Sequence, residues 1–168
     1  MNDQTTSTTV LMRDRTEGPA TWALGSLFQQ VASGAETGGA FGLAQVTQPA
    51  GTATPLHVHT REAEAFYMLD GNLTYQAGQQ RYQLSPGSFI YLPAGVPHAF
   101  RVTGTSPARF LAIVAPGGLM DLYDEVGRPA GQHQLPEPDE EQLGADINRW
   151  LTAAPQYGIQ VVGPPLPG

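Results

Sequence analysis

The sequence predicts an all-β fold, a sandwich or barrel of many short strands, with helices following it. Three observations carry this. The chain holds 20 glycines and 15 prolines in 168 residues and is only 14% charged, a composition that suits short strands joined by tight turns better than a helical bundle. From Thr21 to Ala115, apolar and polar residues alternate in short runs broken by Gly, Pro, Asn and Asp, which is the period-two pattern of strands. Beyond Ala115 the apolar spacing becomes helical. At this length a single domain with one hydrophobic core is expected.

In chain order, residues 1–15 are polar and Thr-rich and are expected to be a flexible N-terminal arm. Residues 16–116 form the barrel. Residues 117–168 form a helical cover and tail belonging to the same domain. Trp22, Leu24 and Phe28 predict one strand or two short ones. Phe41 to Val46 predicts a strand that ends before Pro49. Pro55–His59 is short and extended, and Ala63–Leu69 is apolar on both faces apart from Glu64. Leu73–Ala77 and Arg81–Leu84 alternate about a Gly78-Gln79 turn, a hairpin. Phe89–Leu92, Ala99–Val102 and Arg109–Ala115 complete the strands. Leu119, Leu122, Tyr123 and Val126 follow helical spacing, with Gly127 as the stop and Pro129 beyond it. Residues 128–138 read as a linker. A second helix starts near Asp139, with Gln142 suggesting a capping box and Leu143, Ile147, Trp150, Leu151 and Ala154 as its apolar stripe.

Composition also removes whole classes of function. There is no cysteine, hence no disulfide framework and no thiolate metal site. The net charge is −7, and the eight basic residues are all arginine and scattered, which argues against nucleic acid as a partner. The opening MNDQTTSTT has neither a basic nor an apolar leader region, and no apolar run reaches membrane-spanning length. A soluble cytoplasmic protein is expected.

The chemistry concentrates in Gly51–Gly71. His57 and His59 stand two residues apart, so on an extended segment they project to the same side while Val58 faces away. Glu64 follows, and the next strand can return it over the same cavity. His98 has to arrive from an adjacent strand. Three imidazoles and a carboxylate are ligands for Fe, Ni, Mn, Co or Zn, and such a buried cluster is hard to satisfy without an ion. One divalent transition metal is the expected cofactor, with identity open among those five. Glu64 either ligates or stands free as a base. Glu62 shares its parity and is expected to be a solvated rim residue. His133 is expected to be exposed, and Trp22 and Trp150 to be packing anchors.

Gly51, five residues, His57-Val58-His59, four residues, Glu64, six residues and Gly71 resembles the first motif of the cupin superfamily. Gly87, five residues, Pro93, one residue, Gly95, two residues and His98 resembles the second. Where that second motif usually closes with Asn, this chain has Val102. The resemblance implies a double-stranded β-helix, the cupin or jelly-roll barrel, with a metal held by His57, His59, Glu64 and His98. More narrowly, the polar N-terminal arm, Ala115-Pro116-Gly117-Gly118 leading into a helix, and the Tyr157-Gly158-Ile159 to Gly163-Pro164-Pro165 tail resemble bacterial quercetin 2,3-dioxygenase-like single cupins. This implies flavonol ring opening by O2. Related single cupins that cyclise polyketides are nearly as similar.

An aromatic substrate is also compatible with the residues themselves. Phe66 and Met68 share the parity of Glu64, and Phe100 that of His98. These, with Phe41, Tyr91 and Phe110, are the candidate pocket for a flat ring system. Phe66 and Phe100 serve either as core or as substrate contacts. Arg101 has the opposite parity to His98, so no cation is expected inside, which argues against a phosphorylated ligand. The expected activity is thus metal-dependent dioxygenation of a small aromatic substrate, with Glu64 catalytic. A metal-dependent cyclase or isomerase, or a non-catalytic metal- and ligand-binding module, are the alternatives. The apolar back of the Glu64 strand needs covering, and a homodimer is the expected assembly.

Overall fold

The computed structural model describes residues 10–14 and 17–168. Most of the arm expected over residues 1–15 lies outside the described residues. Within it, Arg13 is tied down, donating to Val31 O at 2.7 Å and pairing with Glu36 at 2.7 Å.

Twelve strands and two helices follow. They are β1 (Ala20–Ala23), β2 (Ser26–Ala32), β3 (Gly42–Gln48), β4 (Pro55–His59), β5 (Ala63–Asp70), β6 (Asn72–Ala77), β7 (Gln80–Leu84), β8 (Phe89–Leu92), β9 (His98–Thr103), β10 (Ala108–Ala115), α1 (Asp121–Val126), β11 (Arg128–Pro129), α2 (Glu140–Ala153) and β12 (Ile159–Pro165). They form two antiparallel sheets, ordered β11-β1-β2-β3-β10-β5-β8 and β12-β4-β9-β6-β7. The fold is the expected double-stranded β-helix with C-terminal helices. One core is built from the inward residues of both sheets, among them Val46, Phe66, Phe110, Leu73, Tyr75 and Phe100. Strand alternation accounts for that core: β3 and β10 bury every second residue, as a strand with one face inward must.

Two glycines show how the motifs fit this frame. Gly71 turns β5 into β6 at φ +70°, and a Cβ there would lie 2.6 Å from Pro107 O. Gly127 ends α1 as expected, but in an extended conformation. It is needed for close approach, since a Cβ would lie 2.6 Å from Trp22 O.

Beyond the strands the structure departs from expectation in two places. The linker over 128–138 begins with β11, which pairs with β1. The tail is a strand: β12 adds to β4, placing Ile159 opposite His59 and Val161 opposite His57. Helix α2 begins where expected, with Asp139 accepting from Gln142 N at 2.9 Å. Its stripe is only partly covered. Trp150 and Ala154 are buried, whereas Leu143, Ile147 and Leu151 are 38%, 43% and 47% exposed, because this face lies along the mouth of a cavity rather than on a closed core.

Asp146 holds α2 to the barrel. It is 1% exposed and accepts from Leu24 N (2.9 Å), Gln142 Nε2 (2.7 Å) and Arg149 Nη2 (2.5 Å). Leu24 and Gly25 form a two-residue hairpin turn with positive φ at both positions, +53° and +70°, the geometry that matches strand twist but is costly for leucine. The carboxylate thus fixes a strained turn whose side chain lines the cavity. Asp146→Ala is expected to destabilise the fold by about 1–3 kcal/mol through loss of these bonds. A urea-denaturation midpoint lowered at unchanged slope is the result that checks it.

Candidate metal centre

His57 and His59 project from β4 on one side, both buried, and His98 opens β9 directly opposite His57. One ring nitrogen from each of the three lies within 4.8 Å of the others. Ring centroids are 5.1 Å (His57–His59), 4.3 Å (His57–His98) and 4.9 Å (His59–His98) apart. Glu64 enters from β5, in the facing sheet, with Oε2 3.4 Å from His98 Nε2. The structure therefore brings all four expected residues together.

Backbone carbonyls fix the orientation of two rings. His57 Nδ1 lies 2.8 Å from Pro55 O, and His98 Nδ1 lies 2.8 Å from Val96 O. A carbonyl only accepts, so both Nδ1 atoms carry a proton; the neutral His57 ring then presents the lone pair of its Nε2, and His98 does so once its Nε2 proton is given up. His98 Nε2 and His59 Nδ1 are buried without any hydrogen-bond partner. Buried nitrogens left without a hydrogen-bond partner are costly unless something else satisfies them.

Protonation states point the same way. Burial, reinforced by His98, pulls His57 down to about 4. Burial likewise lowers His59. Burial works to raise Glu64, but the neighbouring imidazoles, His98 foremost, outweigh it and hold the carboxyl at about 2. Burial would lower His98, yet Glu64 overrides it and raises it. Two neutral imidazoles and a third paired with a carboxylate, with one ring nitrogen from each within 4.8 Å of the others, fit a divalent transition metal. His57, His59 and His98 could hold it, with Glu64 beside them.

Tyr75 was not singled out in the sequence, although the Leu73/Tyr75 alternation marks it as inward. It is fully buried, and its hydroxyl donates to Glu64 Oε2 at 3.3 Å. Burial and the charge of Glu64 push its pKa well above the ordinary value, so it remains a donor. Glu62 corrects an expectation: it is 8% exposed, not solvated, and its Oε2 has no partner. It lies in the turn just before β5 begins, and burial raises its pKa. His133 is exposed.

A cavity of about 520 Å³ adjoins the cluster, reached by His57 and Glu64 and lined by Phe66, Phe100 and Phe110. Phe66 stacks on Phe110 at 4.4 Å and meets Phe100 edge-on at 5.4 Å. The other three candidate pocket residues are elsewhere. Met68 is 1% exposed and packed in the core. Tyr91 is 58% exposed, because β8 turns Leu92 inward opposite Glu64 and Tyr91 outward. Phe41 is 39% exposed, just before β3 begins. Trp150, expected only to anchor α2, borders the cavity with its ring edge-on to His57 at 6.3 Å. Trp22 does act as an anchor, donating to Gln134 O at 2.8 Å.

If these nitrogens hold an ion, the purified protein should carry about one divalent metal per chain, and chelation should lower its melting temperature, since a ligand of the native state stabilises it. His98→Ala should lose most of that metal. Elemental analysis beside a thermal melt measures both, and metal-free protein that gains no stability from any of the five candidate ions would remove the site.

Comparison with known proteins agrees with the motifs and the fold. Residues 44–114 match the family described as Cupin domain. The chain is 31% identical over 113 residues to quercetin 2,3-dioxygenase of Bacillus subtilis, covering 67% of this chain and 33% of that one. It is 30% identical over 74 residues to an uncharacterized protein of Methanocaldococcus jannaschii, covering 44% and 59% respectively. The chain thus spans less than two thirds of either relative. A solved structure from Thermotoga maritima, described as a predicted oxalate decarboxylase, shares the fold at a TM-score of 0.56 and 21% identity, covering 64% of this chain and 99% of that one. Among the described residues no helix is long and apolar enough to cross a membrane. The chain is a cupin that resembles quercetinase-like proteins, with its cupin domain matched over residues 44–114.

Proposed function

We propose that the chain is a metal-dependent dioxygenase of the quercetin 2,3-dioxygenase type, opening a flavonol-like aromatic ring with O2. The observation that carries this reading is the junction of the histidine–carboxylate cluster with an aromatic-walled cavity: His57 and Glu64 reach the same space as Phe66, Phe100 and Phe110. The volume falls in the ~300–1,000 Å³ range of small-molecule sites, and among the described residues no arginine lines it. A planar, uncharged, aromatic ligand suits such a wall. Similarity to the Bacillus subtilis quercetin 2,3-dioxygenase supports the same choice.

The metal, when bound, supplies Lewis acidity at the histidine cluster and, if redox-active, a route for O2 chemistry. The chain does the rest. The Phe66–Phe110 stack and Phe100 present flat faces and edges that hold a ring system and exclude water. Glu64, kept ionised by the imidazoles, accepts the proton of a substrate hydroxyl brought to the cluster. Tyr75 fixes the carboxylate by donating to its Oε2. Trp150 closes the side of the cavity next to His57.

Adding quercetin to protein reconstituted separately with Fe, Ni, Mn and Co is expected to consume O2 and bleach the flavonol absorbance with at least one of them. An oxygen electrode with a parallel spectrum measures it; binding without O2 uptake under every redox-active metal would instead indicate a cyclase, an isomerase or a binding module. Glu64→Ala is expected to retain part of the metal but lower turnover by about 10²–10⁴-fold, the usual contribution of a positioned base. Unchanged turnover would remove Glu64 from the chemistry.

A further inference from the structure

The inner face of β3 consists of Gly42, Ala44, Val46 and Gln48, each buried, with the intervening residues less so. Gln48 is the polar member. It is 7% exposed, it lines the same cavity as His57 and Glu64, and its Oε1 is buried without a hydrogen-bond partner. An unpaired amide oxygen on an otherwise apolar wall is costly to keep. Among the described residues, no ion pair, cap or turn uses it.

Register places Gln48 at the end of the cavity remote from the histidines. Glu64 and Gly42 both pair with Val114, whereas Gln48 pairs with Ala108. Six residues of β10 separate the two rungs, about 20 Å of strand, and side chains reach inward from both ends. The opposite wall at the remote end is Thr52 and Thr54, which lead into β4. Thr54 Oγ1 is already engaged by Phe100 N at 3.0 Å. Helix α2 runs alongside, from Leu143 over the Leu24–Gly25 turn to Trp150 beside His57, about 10 Å along its axis. The cavity is therefore elongated, with a metal-ligand cluster at one end, aromatic walls between, and an unused acceptor at the other.

We propose that Gln48 is a second recognition point, accepting a hydrogen bond from a hydroxyl on the part of the substrate farthest from the histidine cluster. The substrate class is then an elongated aromatic that is hydroxylated at both ends. This rests on the dioxygenase reading for its choice of ligand. It goes further in assigning the remote hydroxyl to one side chain. A site that hydrogen-bonds a substrate hydroxyl discriminates against the analogue lacking it, since the analogue leaves the buried amide unpaired.

The test is anaerobic calorimetric binding, so that nothing turns over, to metal-loaded wild type and Gln48→Met. The probes are quercetin and 3-hydroxyflavone, which keeps the 3-hydroxyl and lacks the other ring hydroxyls. Methionine preserves length and volume and removes the acceptor. Gln48→Met is expected to weaken quercetin about tenfold while leaving 3-hydroxyflavone within about twofold. Equal loss for both ligands, or loss for neither, overturns the role of Gln48 and leaves the dioxygenase reading standing. Wild type that binds neither flavonol overturns the substrate reading, and this inference with it.

Discussion

Four ionisable side chains buried together inside an apolar barrel set the terms for everything else. His57, His59, Glu64 and His98 are each no more than 9% exposed. Desolvation alone would neutralise them all, and two imidazoles do yield to it. Glu64 stays ionised and His98 is pulled upward instead, because each favours the charged form of the other; a metal ion would take the place of the proton on His98 Nε2. A buried pair of this kind is weak evidence for stability, since its attraction only partly repays its desolvation. The arrangement makes physical sense as ligand preorganisation. Backbone carbonyls hold two rings by Nδ1, Tyr75 holds the carboxylate, and one ring nitrogen from each histidine lies within 4.8 Å of the others. The barrel supplies the strands at that level, β4 and β9 from one sheet, joined at His57 and His98, and β5 from the other.

How much of this could be read from the chain follows from the range of each interaction. The histidine–carboxylate cluster was legible because it depends on local rules. Parity within β4 aligns His57 with His59, and Gly and Pro mark the turns that bracket the strands. The hairpin at Gly78-Gln79 and the cap at Asp139 were legible for the same reason. Phe41 and Tyr91 were not, because an isolated aromatic beside a turn gives no parity. Only pairing with β5 shows that Leu92 faces in and Tyr91 faces out. Met68 had the right parity but too much depth: alternation assigns a face, while packing decides whether that face meets a cavity or a core. Glu62 failed in the opposite sense. It shares the parity of Glu64 and its place outside the motif spacing suggested the rim, yet it is buried in the turn between β4 and β5.

The least legible parts are those that come from far along the chain. Nothing local in Ile159–Pro165 says that it will lie against β4, opposite His57 and His59. Nothing in α2 says that Asp146 will bond the Leu24–Gly25 turn, 122 residues away. These non-local contacts carry loop-closure entropy that local patterns do not encode. They also decide the shape of the cavity. Its histidine end is made by the motif-bearing strands, whereas its side wall and mouth come from α2 and the strained Leu24 turn.

That division has a chemical consequence. The histidine end rests on strand parity and short backbone hydrogen bonds, so its geometry tolerates little change: a one-residue slip in β4 would turn both histidines outward. The opposite end is built from the last residue of β3, a helix face left partly open, and a turn held by one carboxylate. Substitutions at Leu143, Ile147, Leu151 or Gln48 alter what fits without touching a ligand. The histidine–carboxylate cluster and the cavity wall are therefore separable in this barrel. The first lies where β4, β5 and β9 meet, and the second draws on β3 and α2. A fold arranged in this way can keep the cluster while the apolar wall is recut, so on the proposed reading the wall, and not the histidines, would choose the ring.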